Sequence, residues 1–323
     1  MLSYSVAIRT LATSSYLKEE LEALCNQYIS PQKIIVYLPE DTLSPDFKIA
    51  DEQYIHVKKG MMHQRLLPYS DISSDCILML DDDVDLQSDS VEKLLKAMED
   101  NNADLVAADT FQNHNLTFAS KIKAVITNLV FPHFSKKWAF KIHKNGSFSY
   151  INKPSENYYP SQSCAGNAML WKTDSYRKLN MQDELWLDFL PFAFQDDMLE
   201  SYKVYKNGLK LGVVFNSGIQ HLDSKSASES FKKSTDYIKN RTIAQLAIWW
   251  RTCYNPGNSG FLSRLFAASA FSFKMTWLFF VLLSYSIVKL DFSYCSNFLK
   301  GLSDGWKFVH SKSFRSLPPY VVK

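Results

Sequence analysis

The chain has 323 residues, 46% of them hydrophobic and 14% aromatic, with 36 Lys and Arg against 33 Asp and Glu. That supply of apolar side chains excludes global disorder, and the length allows one large domain or a domain with an appendage. The net charge of +3 hides an asymmetry: residues 251–323 carry nine Lys and Arg against two Asp and Glu, residues 1–250 carry 27 against 31, and a basic end of this kind suits an anionic surface.

Ser5–Thr10 reads as a first buried strand. Leu17, Leu21, Leu24 and Cys25 then recur at helical spacing, with Glu19 and Glu20 placed where a helix dipole favours acids. Lys33–Leu38 is a second strand closed by Pro39, and Tyr54–Val57 a short third one. A helix is expected over Gly60–Ser70. The fourth strand, Cys76–Leu80, runs directly into Asp81-Asp82-Asp83. Val91, Leu94, Leu95 and Met98 define the next helix, with Ser88 or Ser90 as its cap, and Leu105–Ala108 is a fifth strand. Strands alternating with helices predict βα units on a mostly parallel sheet.

Residues 111–160 are less regular, with a hairpin turn expected at Asn145-Gly146. The segment 163–171 starts with small residues, either to admit a ligand or another backbone, or as a bulged strand. Trp186–Phe194 is aromatic and leads to Gln195-Asp196-Asp197, a helix, a stop at Gly208 and a strand over Leu211–Phe215. A helix over Lys239–Trp250 precedes a break at 256–260. Met275–Val288 then holds fourteen residues without charge between Lys274 and Lys289, short of the roughly twenty that span a bilayer. An interfacial, shallowly inserted segment is expected, with a helical hairpin packed on the main domain as the alternative.

Chemistry concentrates at the fourth strand. Three adjacent carboxylates repel one another and raise one another's pKa. A hard divalent cation relieves that cost and commonly holds a substrate phosphate through one or two protein carboxylates. In open α/β sheets ligands also bind beyond the carboxyl ends of strands, so this tip is a candidate metal and phosphate site. Asp196-Asp197 taken alone reads first as a helix cap that complements the dipole. The five cysteines are scattered without a CxxC pair, which suits reduced cytosolic thiols and speaks against structural zinc. The opening residues lack a basic leader region, so no secretory signal is expected. Nucleic acid is not expected as a partner, because the basic residues flank an apolar stretch.

In order, these landmarks resemble the inverting family 2 nucleotide-sugar glycosyltransferases of the GT-A fold, of bacterial surface-polysaccharide type, over roughly residues 4–250. The family's first strand corresponds to Val6-Ala7-Ile8-Arg9-Thr10, its Gly-x-x-x-Ala-Arg-Asn segment to Gly60–Arg65, and its DxD motif to Asp81-Asp82-Asp83. Its Glu-Asp motif, eleven residues before a glycine, falls on Asp196-Asp197 ahead of Gly208. A downstream Arg-Asn pair is reversed as Asn240-Arg241. The acid usual at the end of strand two is absent, and Leu38-Pro39 stands there with Glu40 and Asp41 following.

The resemblance implies a GT-A Rossmann-like α/β domain over 1–225, with a nucleotide-binding half (about 1–110) and an acceptor half (about 111–225). A helical, basic, apolar region (226–323) would associate with a membrane. It further implies transfer from a nucleoside-diphosphate sugar, a UDP-sugar in the first instance, to a saccharide or lipid-linked acceptor, assisted by Mn²⁺ or Mg²⁺. Asp197 would be the general base with Asp196 beside it. Arg9, Thr10, Gly60, Arg65, Asp81 and Asp82 would meet the donor, and Asp83, Asp81 and His221 the metal. The expected location is the cytoplasmic face of the cell membrane. Two alternatives stay open: a haloacid-dehalogenase-type phosphotransferase using Asp81 as nucleophile, and a non-catalytic glycan- or membrane-binding protein of the same fold.

Overall fold

The computed structural model describes residues 2–12, 14–110, 117–129, 131–133, 137–190, 194–222, 236–257 and 259–322. The first hundred residues alternate: β1 (Tyr4–Arg9), α1 (Leu17–Cys25), β2 (Ile34–Pro39), β3 (Gln53–Val57), α2 (Met61–Arg65), β4 (Cys76–Asp81), β5 (Val84–Leu86), α3 (Ser90–Asn101) and β6 (Leu105–Ala108). Then come α4 (Phe118–Asn128), β7 (Phe131–His133), β8 (Phe140–Ile142), β9 (Phe148–Ile151), β10 (Tyr158–Pro160), β11 (Ala168–Lys172) and α5 (Thr173–Lys178). A 3-10 segment (Met181–Phe189) leads to α6 (Asp196–Lys206), β12 (Leu211–Val214) and β13 (Ile219–His221). The last part holds α7 (Asp236–Trp249) with a π-helical turn to Tyr254, α8 (Phe261–Lys289), α9 (Ser293–Val309) and α10 (Lys312–Arg315).

One sheet of eight strands organises the chain, in the order β10-β12-β6-β11-β4-β1-β2-β3. β1, β2, β3 and β4 run parallel to their neighbours within that group, as do β6 and β12, while β11 lies antiparallel between β4 and β6. β4 is apolar throughout because both of its faces are covered. Leu78 and Leu80 face the cluster built with Leu17 and Leu21 of α1 and Leu94 of α3. Ile77 and Met79 face the opposite cluster, which holds Met62 of α2, Leu199 of α6 and Trp249 of α7. The mostly parallel α/β sheet flanked by helices, with a helical C-terminal part, is the architecture expected.

Several local expectations change. Helix α2 is one turn long, because Pro68 disfavours helical geometry at the residue before it and Tyr69 adopts a positive φ. Helix α3 is preceded by Asp89 without a side-chain cap, so neither Ser88 nor Ser90 fills that role. The short pair β5 and β13 escapes sequence reading; three residues are too few for periodicity. The Asn145-Gly146 turn does join an antiparallel pair, β8 and β9. The 225/226 domain boundary falls outside the described residues.

The C-terminal region is stitched to the sheet domain. Glu184, almost wholly buried, accepts hydrogen bonds from Lys203 of α6 at 2.9 Å and from Arg251 after α7 at 2.9 and 2.8 Å. Burial pushes its pKa up, but the two cations outweigh burial and hold it below the ordinary carboxylate range. Tyr320, fully buried, donates to the Leu199 carbonyl at 2.6 Å, and Arg251 donates to the Pro318 carbonyl. The final residues therefore strap the helix that starts with Asp196 and Asp197. Replacing Glu184 by Gln leaves two buried cations without a charged partner, and should cost about 3 kcal/mol or more in urea unfolding. A change within 0.5 kcal/mol, roughly the scatter of surface substitutions, would mean the cluster holds nothing together.

Candidate active site

The parallel register of β1 and β4 sets Arg9 beside Asp81, both at strand ends. Arg9 is buried and donates to Asp81 Oδ1 at 2.8 Å and to the Gly166 carbonyl at 2.6 Å. It fixes the strand tip to the turn entering β11. The next residue, Thr10, donates through its hydroxyl to Asp82 Oδ2, while Ser14 donates to the Asp82 carbonyl at 2.6 Å. Asp81 and Asp82 thus turn to opposite sides of the sheet, as the alternation along β4 dictates.

Arg65 joins the early and late parts of the chain. From the end of α2 its guanidinium reaches Asp81 Oδ2 at 3.2 Å, Asp196 Oδ2 at 2.8 Å and Asp197 Oδ1 at 3.1 Å. The two acids begin α6, after Gln195 at a positive φ. Gly166 is required here by space: a Cβ on it would lie 2.6 Å from Arg65 Nη1 and 2.9 Å from Asp197 Oδ1. The small residues before β11 therefore admit Arg65 and Asp197 themselves. Asp197 is the accessible member of the pair, with 41% of its side chain exposed, against 9% for Asp196.

Gly60 sits just before α2 with φ +151°, and a Cβ there would strike the Asp188 carboxylate. Asp188 accepts the Met62 and His63 amides at 2.9 and 3.1 Å and pairs with His63 Nδ1, so it caps the helix that presents Arg65. Gln64 ties the same helix to β1 by donating to the Thr10 carbonyl at 3.0 Å.

On the other side of the tip, β13 pairs with β5 and carries His221 to Asp83, Nε2 to Oδ1 at 3.1 Å. A carboxylate and an imidazole facing each other are donors that a divalent cation accepts. Among the described residues no three His, Cys, Asp or Glu side chains converge as a cage. The remaining ligands of such an ion would be diphosphate oxygens and water. Both oxygens of Asp81 are already engaged by Arg9 and Arg65.

Two acids that sequence reading passed over lie behind the site. Glu20, assigned to the helix dipole, is buried on α1 among its apolar residues, and burial, then Asp82, hold its pKa well above the ordinary range. Glu200 follows Asp196 by one turn on the same face of α6. It is buried, and its pKa is raised to about 7, by burial first, against the pull of Arg9 and Arg65. The signal for both was an acid at a core-facing helical position. Burial likewise raises Asp196 to about 7, opposed by Arg65, and Asp82 to about 6, with Asp83 and Asp81 adding to the shift.

A raised carboxyl pKa has a defined sign for stability. The folded chain keeps a proton that the unfolded chain releases from about pH 4.5 upward, so stability falls as pH climbs to about 7 and then levels. Glu200→Gln should be more stable than the unmodified chain at pH 8 by on the order of 2 kcal/mol, with the gap closing by pH 4.5. Urea unfolding at both values checks this; a gap independent of pH would rule out a titrating Glu200.

Residues 4–117, under half of the chain, match the model of the glycosyl transferase family 64 domain. No curated protein matches the sequence. Among solved structures, GalNAc-T7 with UDP, GalNAc and Mn²⁺ is similar at TM-score 0.50 and 11% identity, over 90% of this chain and 58% of that one. The chain thus spans little more than half the length of that protein. A mannosyltransferase from Pyrobaculum calidifontis, PcManGT, in complex with GDP-Man and Mn²⁺, is similar at TM-score 0.47 and 12% identity over 98% of this chain and 82% of that one. The family model is of family 64, whereas the motif order resembles family 2. Both describe glycosyltransferases, and the chain has the GT-A type of fold.

Proposed function

We propose that this protein is a glycosyltransferase that moves a sugar from a nucleoside-diphosphate donor to an acceptor hydroxyl with inversion, in the manner of family 2. The carrying observation is the Arg65 junction, which brings Asp81 at the tip of β4 and the acids opening α6 within reach of one guanidinium. The haloacid-dehalogenase alternative needs a free Asp81 carboxylate as nucleophile, and both Asp81 oxygens are held by guanidinium groups.

In this reading Asp83 and His221 would hold Mn²⁺ or Mg²⁺, which would supply charge neutralisation for a departing diphosphate. Thr10 and Asp82 meet the nucleoside, with Arg9 fixing Asp81 at its side. Gly60 keeps the chain close to α2 so that Arg65 faces the cleft, where its guanidinium can exchange a carboxylate for a phosphate oxygen. Asp197 is the base: it takes the acceptor proton as that oxygen bonds to the anomeric carbon, and the bond to the diphosphate breaks with its electron pair leaving on oxygen. Asp196 orients its neighbour, and burial raises its pKa to about 7 against the pull of Arg65. The UDP and Mn²⁺ held by GalNAc-T7 support a UDP-sugar and manganese as the first combination to try. A saccharide or lipid-linked acceptor, as in surface-polysaccharide assembly at the cytoplasmic face, completes the proposal.

Asp197→Asn should lower turnover by about a hundredfold or more while leaving Mn²⁺-dependent donor binding intact. Retained turnover, or a product whose anomeric configuration matches the donor in its proton NMR spectrum, would overturn the base assignment. Asp83→Ala should weaken Mn²⁺-dependent binding of a nucleoside diphosphate by about tenfold or more in calorimetry. Unchanged affinity would remove Asp83 from the metal site.

A further inference from the structure

Helix α8 is built inside out. Its 29 residues are long and apolar enough to cross a membrane, yet one face rests on the protein along most of its length. Phe271 stacks on Trp249 at 4.0 Å, Phe279 lies against Phe298, and Ser286 meets Cys295 at 3.4 Å. Lys274, its only charged residue between Arg264 and Lys289, is turned inward and 3% exposed. The outward positions are aromatic and aliphatic: Phe266 is 64% exposed, Phe273 66% and Phe280 57%. A helix of a water-soluble surface shows the opposite pattern.

A second helix extends this face. Trp277 of α8 donates from Nε1 to the Ile126 carbonyl of α4 at 2.8 Å, and α4 exposes Phe118, Ile122 and Ile126. The two helices come from segments about 140 residues apart in the chain. Apart from the inward Lys274 they carry four Lys and Arg (Lys121, Lys123, Arg264 and Lys289) and no Asp or Glu. An exposed apolar patch of this kind marks an interaction site, and cations without acids match it to anionic headgroups.

We propose that α4 and α8 form one platform that lies flat in the headgroup and outer acyl layer of an anionic lipid bilayer, with α8 not crossing it. Crossing is opposed by the packed face. From Ala267 to Ser286 the helix is seated on α7 and α9, which are themselves bridged by Lys239 and Asp304 at 3.1 Å, so spanning would draw those charges into hydrocarbon. The platform is independent of the chemistry proposed for the cleft, and it makes the acceptor half, through α4, part of the membrane contact.

The test uses the full chain and sedimentation with vesicles of phosphatidylcholine alone or with a quarter phosphatidylglycerol. The protein should pellet with the anionic vesicles and less with the neutral ones. Phe273→Ser with Phe280→Ser, and separately Phe118→Ser with Ile122→Ser, should each lower the partition coefficient by about tenfold or more, with thermal unfolding unchanged. The α4 pair is the discriminating one, since a simple C-terminal anchor would ignore it. The proposal is overturned if the unmodified chain stays in solution, or if the α4 pair binds as well as it does. It is also overturned if the chain is a dimer in buffer that either pair converts to a monomer, because a second copy would then cover the face.

Discussion

The site depends on one guanidinium. Arg65 is the only bridge described between Asp81 at the tip of β4 and the acids that open α6, which lie more than a hundred residues later. Without a cation at that point three carboxylates would stand within a few Å of one another, and Glu200 lies just beneath them. Mutual repulsion in a buried setting would either drive protons onto them or push α6 away from the sheet. Much of the surrounding structure serves to place this group. Asp188 caps the single turn that carries it, Gln64 ties that turn to β1, and Gly166 leaves it room. Arg9 and Arg65 serve the Asp81 side, while Asp82, Asp83 and Glu20 on the other side are offset among described groups by His221 and the Thr10 hydroxyl.

Most of the first 110 residues was legible in the sequence because their strands are continuous apolar runs and their helices are regularly amphipathic. Cys76–Leu80 with its three acids could be placed at a strand end from hydrophobicity and charge alone. The order of the motifs holding Arg9, Arg65, Asp81 and Asp197 suggested a glycosyltransferase, and the fold links these four side chains through Asp81 and Arg65. Other features were not legible, for physical reasons. The pair β5 and β13 is too short to show a period, so only the family resemblance, and no local pattern, put His221 together with Asp83. Glu20 was assigned to the helix dipole and Glu200 was passed over, because single-sequence patterns leave carboxylates in solvent unless a partner is known. The role of Asp188 depends on a partner 126 residues away, and that of Glu184 on Arg251, 67 residues away, as well as on Lys203.

The C-terminal third illustrates a different limit. Lys274 and Lys289 look like the flanks of a short apolar stretch, yet Lys274 lies in the middle of a continuous helix with its charge turned toward the protein. A period of 3.6 reports which residues share a face and says nothing of which medium that face meets. The basic excess after residue 250 was visible by counting, whereas the α4 contribution to the same surface required a tertiary contact, Trp277 to Ile126.

The placement of β11 has a consequence for how the molecule is made. This strand supplies the neighbour for β4 on one side and for β6 on the other, yet it follows β4 by about ninety residues. During synthesis the first hundred residues can assemble β1 to β4 while one edge of the central strand stays open. An open, apolar edge of this sort is prone to pair with another chain. The first hundred residues are therefore a poor candidate for independent expression, and the finished sheet must wait for long-range closure, which slows folding.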